Sequence, residues 1–123
     1  IGVRLVGSEM CIRDRRNAVI GGTCRGAAIT DIEVCGKTGT AENPHGKDHS
    51  AFIGFAPYRN PKVAICVYVE NGGFGATYGV PIGKLMMEKY LKGEISEENK
   101  LLEETMSNAV VLPNVLSLPN REL

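Results

Sequence analysis

The chain has 123 residues, of which 43% are apolar and 23% are charged, with fourteen basic residues balanced by fourteen acidic ones. This length and composition predict one small globular domain and exclude a disordered polymer. The zero net charge gives no basis for general binding to nucleic acid or to an anionic membrane. The longest apolar stretch, Val63–Val69, is too short to span a bilayer, and no signal-peptide pattern opens the sequence.

The first sixteen residues differ from the rest of the chain, because they show neither a two-residue nor a 3.6-residue hydrophobic period. Within them, the string LVGSEMCIRDR (residues 5–15) resembles a translated sequencing adaptor. We therefore expect residues 1–16 to be a non-native or unassigned segment, and we exclude them from the prediction of the fold. The alternative is a native helix or strand whose partners lie upstream.

Three segments have the composition of strands, namely Ile32–Thr40, Ser50–Ala56 and Lys62–Glu70. The short polar connections between them predict an antiparallel meander. The third segment is apolar on both alternating faces, so we expect both faces to be covered. The cysteines form no C-x-x-C pair, and Cys35 and Cys66 lie in apolar runs, where they are expected to fill the core.

Two helices are predicted after the strands. The first, Val80–Lys92, has Pro81 in its first turn and Gly93 at its C-terminal end. Its helical spacing predicts a buried stripe of Gly83, Met86, Met87 and Tyr90 and a solvent side of Lys84, Glu88, Lys89 and Lys92. The second helix has Ser96 as N-cap and Glu97-Glu98 in its first turn. Its predicted buried residues are Leu101, Leu102 and Met106, and a tail containing Pro113 and Pro119 follows.

The most informative stretch is Gly36-Lys37-Thr38-Gly39-Thr40, for which two interpretations compete. The first is a phosphate-binding P-loop, whose last three residues match Gly36-Lys37-Thr38. That motif requires an earlier glycine where this chain has Asp31, and a helix directly after the threonine. The glycines, asparagine and proline that follow disfavour a helix, so this interpretation fails on two requirements.

The second interpretation is the K-T-G motif of penicillin-recognising serine enzymes, which belongs on a strand that borders a cleft. The edge of such a strand can pair with an extended peptide through main-chain hydrogen bonds. Gly39 lacks a Cβ, so another backbone can approach it closely. Lys37 provides a positive charge, and Thr38 and Thr40 provide hydroxyl donors for a peptide carboxylate.

The likeness extends beyond this motif. Four consecutive strings, VCGKTGTA (34–41), NPHGKDHS (43–50), FIGFAP (52–57) and VYVENGG (67–73), resemble class B penicillin-binding proteins of the elongation type in their order and spacing. These proteins are D,D-transpeptidases that cross-link peptidoglycan. The resemblance covers about residues 17–93, and within this group of proteins the sequence resembles the Bacteroidetes branch.

The resemblance implies an α+β fold, in which a five-stranded antiparallel sheet lies between helices and this chain supplies the last three strands and the closing helix. Residues 17–93 would be the C-terminal part of the transpeptidase domain, and residues 94–123 a C-terminal helix and tail. Lys37 and Thr40 would be catalytic, with the backbone N–H of Thr40 as an oxyanion-hole donor. Thr38, Gly39 and Thr40 would bind the substrate, without a cofactor or a metal.

The resemblance also implies a membrane-anchored, periplasmic parent protein. Its reaction would be acyl transfer from the D-Ala-D-Ala end of a stem peptide, a reaction that β-lactams block. Its partners would be the stem peptide, elongation-complex proteins and the missing N-terminal part of the same domain. Nucleic acid would not be a partner.

The family's nucleophile is expected in an S-x-x-K motif, and a second motif reads S-x-N. None of the serines Ser8, Ser50, Ser96, Ser107 and Ser117 has Lys three residues on or Asn two residues on. We therefore expect a C-terminal fragment that is inactive by itself. The alternatives are a fragment of a serine β-lactamase-like protein and a non-catalytic module that binds peptide carboxylates.

The pair His45 and His49, with Asp48 between them, has the H-x₃-H spacing of some metal sites. The pair lies in a loop with glycine and proline rather than on a helix face, and no third ligand is evident. We expect a structural role or contact with a substrate peptide. The segment Asn71-Gly72-Gly73 is expected to be a tight turn that requires positive φ.

Overall fold

The computed structural model describes the backbone of residues 2–110 and the side chains of residues 12–110. The predicted tail with Pro113 and Pro119 lies outside the described residues. The described elements are α1 (Gly2–Gly21), a 3₁₀ turn (Arg25–Ala27), β1 (Cys35–Ala41), β2 (His49–Ala56), β3 (Val63–Val69), α2 (Gly79–Lys92) and α3 (Glu97–Ser107).

The strands form one antiparallel sheet in the order β1-β2-β3, which confirms the predicted meander and the α+β class. Lys37 pairs with Ile53 across β1 and β2, and Phe52 pairs with Val67 across β2 and β3. The first strand begins at Cys35 rather than at Ile32. The earlier residues form a turn instead, because Asp31 has a φ of 70° and Ile32 makes an isolated bridge with Ile29.

One face of the sheet forms the core beneath α2. The ring of Phe52 is fully buried there. A Cβ placed at Gly36, Gly54 or Gly83 would lie 2.5–2.7 Å from atoms of that ring, so these glycines form the space that the ring occupies. The close approach of α2 to the sheet therefore depends on glycines around the large side chain of Phe52 on β2.

The opposite face of the sheet is largely open within the described residues. Ala64, Cys66 and Tyr68 of β3 are exposed, as is Ile53 of β2. The expectations that β3 is covered on both faces and that Cys66 is a core residue are therefore wrong here. The reason is that α2 packs on β2 and β3 from one side only, whereas α1 packs against β1. Cys35, next to α1, is buried as expected.

Helix α2 has the predicted ends. Gly93 follows its last residue with a φ of 84°, and the N–H of Gly93 donates to the carbonyl of Lys89 at 2.9 Å. Its predicted buried stripe is half right. Gly83 and Met87 are buried, but Met86 and Tyr90 are 54% and 67% exposed.

Two predictions about the contact between α2 and α3 are wrong. Glu88 was expected in solvent but is fully buried, because α3 packs beside it. Leu101 was expected to be buried but is 73% exposed, and Leu102 and Met106 are half-buried. The buried residue of α3 is Asn99, whose amide binds Glu88. Polar contacts therefore set the rotation of α3 about its axis.

Helix α1 crosses residue 16 without a break, and its buried Val19 belongs to the core. The boundary proposed at residue 16 therefore falls inside one helix. Within the described part of the chain, no helix combines the length and apolarity needed to cross a bilayer.

Candidate functional site

The K-T-G motif lies on β1, which is an edge strand of the described sheet. Lys37 and Gly39 pair with Ile53 and Ala51 on the open face, whereas Thr38 and Thr40 belong to the α2 side. Lys37 is exposed, and its Nζ donates to the carbonyl oxygen of Thr38 at 2.7 Å. The motif continues as strand to Ala41, which excludes the helix that a P-loop requires.

A small depression borders the motif on the sheet surface. It has a volume of about 180 Å³ and is lined by Lys37, Thr38, Gly39, Ala51, Phe52 and Ile53. A larger apolar groove of about 450 Å³ lies farther along the open face, where its lining includes Ile53, Phe55 and Cys66. The exposed amine of Lys37 therefore stands beside apolar surface that an extended peptide can contact.

Thr38 is supported from the segment that follows α1. Its hydroxyl donates to the Oγ1 of Thr23 at 3.3 Å. The thiol of Cys24 is buried close by, and burial raises its pKa, although hydrogen bonds with Thr23 and Thr38 and the charge of Lys37 act in the opposite direction. Sequence reasoning missed both Thr23 and Cys24, since nothing in their local pattern connects them to a strand fifteen residues away.

Thr40 is supported by the loop between β3 and α2, residues 71–78, which we call the glycine loop. The N–H of Gly75 donates to the Oγ1 of Thr40 at 3.2 Å. A Cβ at Gly75 would lie 2.6 Å from the carbonyl oxygen of Ala51 and 2.7 Å from that of Gly39. Only a glycine lets the loop approach the motif this closely. The expected turn is present, since Asn71 and Gly73 have φ values of 61° and 81°.

Ser50 connects the glycine loop to the centre of the sheet. Its side chain is fully buried on β2. The hydroxyl oxygen accepts the N–H of Gly79 at 3.0 Å and lies 2.9 Å from the carbonyl oxygen of Phe74. Sequence reasoning treated Ser50 as the start of a strand and as a serine outside the S-x-x-K and S-x-N motifs, and gave it no supporting role. Its partners are 24 to 29 residues away, so the chain order does not reveal them.

The two loops at the far end of the sheet are joined by side-chain hydrogen bonds. The Nδ1 of His49 accepts the N–H of Asn71 at 2.9 Å, and the Nδ2 of Asn43 donates to the Oδ1 of Asn71 at 3.0 Å. The Oδ1 of Asp48 accepts the N–H of Asn43 at 3.1 Å. His49 also packs its ring against Tyr68, with centroids 5.5 Å apart. These contacts fit a structural role, which was one of the two roles expected for His49.

The same contacts bear on the H-x₃-H spacing. The Nδ1 atom of His49 is used as a hydrogen-bond acceptor, which leaves its Nε2 for any ligand. Among the side chains that the structure describes, those of residues 12–110, no three His, Cys, Asp or Glu residues come together as metal ligands. The geometry thus brings Lys37, Thr38, Gly39 and Thr40 onto one strand edge, with supports from Thr23, Gly75 and Ser50.

Comparison with known sequences connects this geometry to a family. Residues 11–88 match the family described as the penicillin binding protein transpeptidase domain. The chain is 42% identical over 78 residues to peptidoglycan D,D-transpeptidase PbpA of Mycobacterium tuberculosis, covering 54% of this chain and 16% of PbpA. It is 31% identical over 99 residues to peptidoglycan D,D-transpeptidase MrdA of Haemophilus influenzae, covering 68% of this chain and 15% of MrdA. The chain thus spans about one sixth of the length of these curated relatives.

Solved structures show the same fold. The D,D-transpeptidase domain of a peptidoglycan glycosyltransferase from Eggerthella lenta has a TM-score of 0.56 and 34% identity, covering 67% of this chain and 19% of that one. PBP2 of Pseudomonas aeruginosa, in complex with WCK 5153, has a TM-score of 0.57 and 34% identity, covering 70% of this chain and 20% of that one. In both comparisons, about two thirds of this chain match about one fifth of the other chain.

Proposed function

The chain belongs to the penicillin-binding protein transpeptidase family as a fragment of that domain, and from this premise we propose that it forms the K-T-G side of a peptidoglycan transpeptidase site. The observation that carries the proposal is the position of residues 37–40 on an exposed sheet edge, within the matched region 11–88. An extended stem peptide would lie along β1. Its terminal carboxylate would be held by Lys37, by the exposed hydroxyl of Thr40, and by the hydroxyl of Thr38 once its proton turns from Thr23 to the carboxylate.

The proposed reaction has two acyl-transfer steps. A serine hydroxyl attacks the carbonyl carbon of the penultimate D-Ala, the peptide bond to the last D-Ala breaks, and the departing amine takes a proton. The amine of a second stem peptide then attacks the carbonyl carbon of the acyl-enzyme, the ester bond to the serine breaks as the cross-link forms, and a proton from that amine passes to the serine oxygen. In both steps the backbone N–H of Thr40 would donate to the oxyanion that develops on the carbonyl oxygen.

The nucleophile of this reaction is not supplied by the sequence, because none of its serines stands in an S-x-x-K motif. Ser50, which lies nearest the motif along the chain, is fully buried and hydrogen-bonded to backbone groups. We therefore assign the acylating serine to a part of the domain outside this sequence. The parent protein is proposed to be membrane-anchored at the periplasmic face and to work with proteins of cell elongation, as the resemblance to class B proteins of the elongation type implies.

The role of Lys37 can be tested in a chimera. Residues 17–93 would replace the matching segment of the Pseudomonas aeruginosa PBP2 domain, and acylation by a fluorescent penicillin would be followed over time. We expect the chimera to be labelled. K37A should be labelled about 10- to 100-fold more slowly, because it loses one hydrogen bond to a charged group. The control is K62A, which removes another exposed lysine. Equal rates for K37A and K62A would contradict the proposal.

The purified chain itself separates the alternatives. A covalent, stoichiometric penicillin adduct on the chain would refute the assignment of the serine elsewhere, and deacylation of that adduct would favour a β-lactamase-like protein. Calorimetric titration with a D-Ala-D-Ala peptide tests the non-catalytic module. Micromolar affinity would favour the module, whereas millimolar affinity is expected for a chain that carries only one side of the active site.

A further inference from the structure

Ser50 occupies an unusual position for a small polar residue, since its hydroxyl is fully buried and bound to three backbone groups outside its own strand. The oxygen accepts the N–H of Gly79 at 3.0 Å. Its one proton faces two carbonyl oxygens, that of Phe74 at 2.9 Å and that of Gly75 at 3.2 Å. One side chain on β2 therefore holds both the middle of the glycine loop and the first residue of α2.

The glycine loop in turn determines the surroundings of Thr40. With Phe74 and Gly79 held by Ser50, Gly75 lies against Gly39 and directs its N–H at the Oγ1 of Thr40. The loop thus uses the hydroxyl of Thr40 as an acceptor, and the hydroxyl proton of Thr40 is not used in that bond. A hydroxyl that accepts a hydrogen bond becomes a better donor, because the two bonds polarise each other.

We propose that Ser50 is a positioning residue for carboxylate recognition, which acts through Gly75 to hold the exposed hydroxyl of Thr40 as a donor. The ligand class is a peptide with a free C-terminal carboxylate, so this inference rests on the proposed function of the K-T-G edge. Ser50 touches no reacting group itself. Its effect passes along two hydrogen bonds, from Ser50 to the loop and from the loop to Thr40.

The positions of α2 and of the start of the glycine loop also depend on contacts that do not involve Ser50. Helix α2 is held on the sheet by the contact of Gly83 with Phe52 and Val67, which does not involve the hydroxyl of Ser50. The far end of the loop is held by the N–H of Gly73, which donates to the carbonyl of Asp48 at 2.7 Å. Removal of the hydroxyl is therefore expected to loosen the middle of the loop while the sheet and α2 stay in place.

The first test is amide hydrogen exchange by NMR on the full chain, with S50A compared with S107A, which removes an exposed serine hydroxyl. We expect S50A to exchange faster by about tenfold or more at Gly75 and Gly79, since a net hydrogen bond contributes on that scale. Exchange within β1 and β2 should stay at the wild-type rate. Unchanged exchange at Gly75 in S50A would overturn the Ser50 proposal by itself.

The second test measures recognition of the carboxylate. The chain would be titrated, by NMR at millimolar concentrations, with diacetyl-L-Lys-D-Ala-D-Ala and with the same peptide as its C-terminal amide. We expect wild type and S107A to prefer the carboxylate, and S50A to lose most of that preference. V19A, a core variant on α1, controls for lower stability and should keep the preference.

The two tests separate the possible failures. A wild-type chain with no preference for the carboxylate would overturn the proposed function of the edge, and with it the role of Ser50 in recognition. A wild-type preference that S50A keeps would overturn the Ser50 proposal and leave the proposed function standing. If S50A and V19A lose the preference for the carboxylate equally, Ser50 only stabilises the fold, which also overturns the proposal.

Discussion

The carboxylate of Glu88 accepts a 2.8 Å hydrogen bond from the hydroxyl of Ser96, which joins α2 to the first turn of α3. The same carboxylate accepts the backbone N–H of Ser96 at 3.3 Å and the side-chain amide of Asn99 at 3.0 Å. Lys92 lies 3.7 Å away, one turn along α2. A fully buried carboxylate is tolerated because the hydroxyl and N–H of Ser96 and the amide of Asn99 donate to it and the charge of Lys92 lies nearby.

We expect E88Q to loosen α3. Glutamine has the same shape as glutamate, but its NH₂ group would face the donors of Ser96 and Asn99, so at least one buried hydrogen bond would be lost. The free energy of unfolding should fall by about 1–3 kcal/mol. Urea denaturation followed by circular dichroism would measure this fall, with E98Q as the control at an exposed position of α3. Equal stability of E88Q and E98Q would contradict the prediction.

The same carboxylate predicts a dependence of stability on pH. Burial acts to raise the pKa of Glu88, but the hydrogen bonds from Asn99 and Ser96 and the charge of Lys92 outweigh it, so the pKa lies below the ordinary value of 4.5. The unfolded chain therefore binds this proton at a higher pH than the folded chain. Its contribution to stability is complete above about pH 4.5 and is lost as the pH falls through the lower folded pKa.

This dependence can be measured as the difference in unfolding free energy between wild type and E88Q, from pH 7 down to pH 3. We expect the difference to be constant near neutral pH and to shrink below about pH 4.5, the ordinary pKa of the group. A difference that stays constant across the whole range would show that the charge of Glu88 contributes nothing.

The contact of Gly83 with Phe52 predicts that G83A is destabilising. Alanine in place of glycine within a helix normally stabilises it by up to about 1 kcal/mol. Here the added Cβ would lie 2.6 Å from the ring of Phe52, which is fully buried and cannot move away freely. We expect a net loss of about 1–3 kcal/mol by thermal unfolding. G21A is the control, because a Cβ at Gly21 meets nothing within 4 Å.

The cysteines should differ in reactivity. Burial raises the pKa of the Cys35 thiol to about 11, although the charge of Arg16 opposes this rise, and Cys24 is also buried, whereas Cys66 is exposed. In a C11S variant, iodoacetamide at pH 8 should modify Cys66 and leave the other two as thiols. Peptide mapping by mass spectrometry would read the sites, and labelling in urea should reach all three. Equal labelling of Cys35 and Cys66 in the folded chain would contradict this.

Local patterns predicted the elements from β1 to α3 well, whereas the helix α1 was not the favoured prediction for its residues. The strand expected at Ser50–Ala56 is observed as His49–Ala56, and the helix expected at Val80–Lys92 as Gly79–Lys92. These predictions succeeded because turns and helix ends depend on a few neighbouring residues, such as Gly93 with its left-handed φ. The K-T-G motif was likewise placed on a strand from its own residues and from the glycines and proline that follow it.

The side of each element that faces the core was predicted less well. Glu88 and Leu101 were assigned to the wrong environments, because the spacing of apolar residues along one helix does not record which helix lies beside it. The open face of β3 was missed for a similar reason. An apolar strand indicates that both faces are suited to burial, but the elements present decide whether both are buried.

The sequence by itself determined the order of the elements from β1 to α3, the motif at residues 37–40 and the family resemblance, since each depends on residues close together in the chain. Only the tertiary structure decided which groups support the motif. The bond from Gly75 to Thr40 spans 35 residues and the bond from Gly79 to Ser50 spans 29. Such contacts form when packing brings distant backbone groups within hydrogen-bonding distance, and no local periodicity encodes that distance.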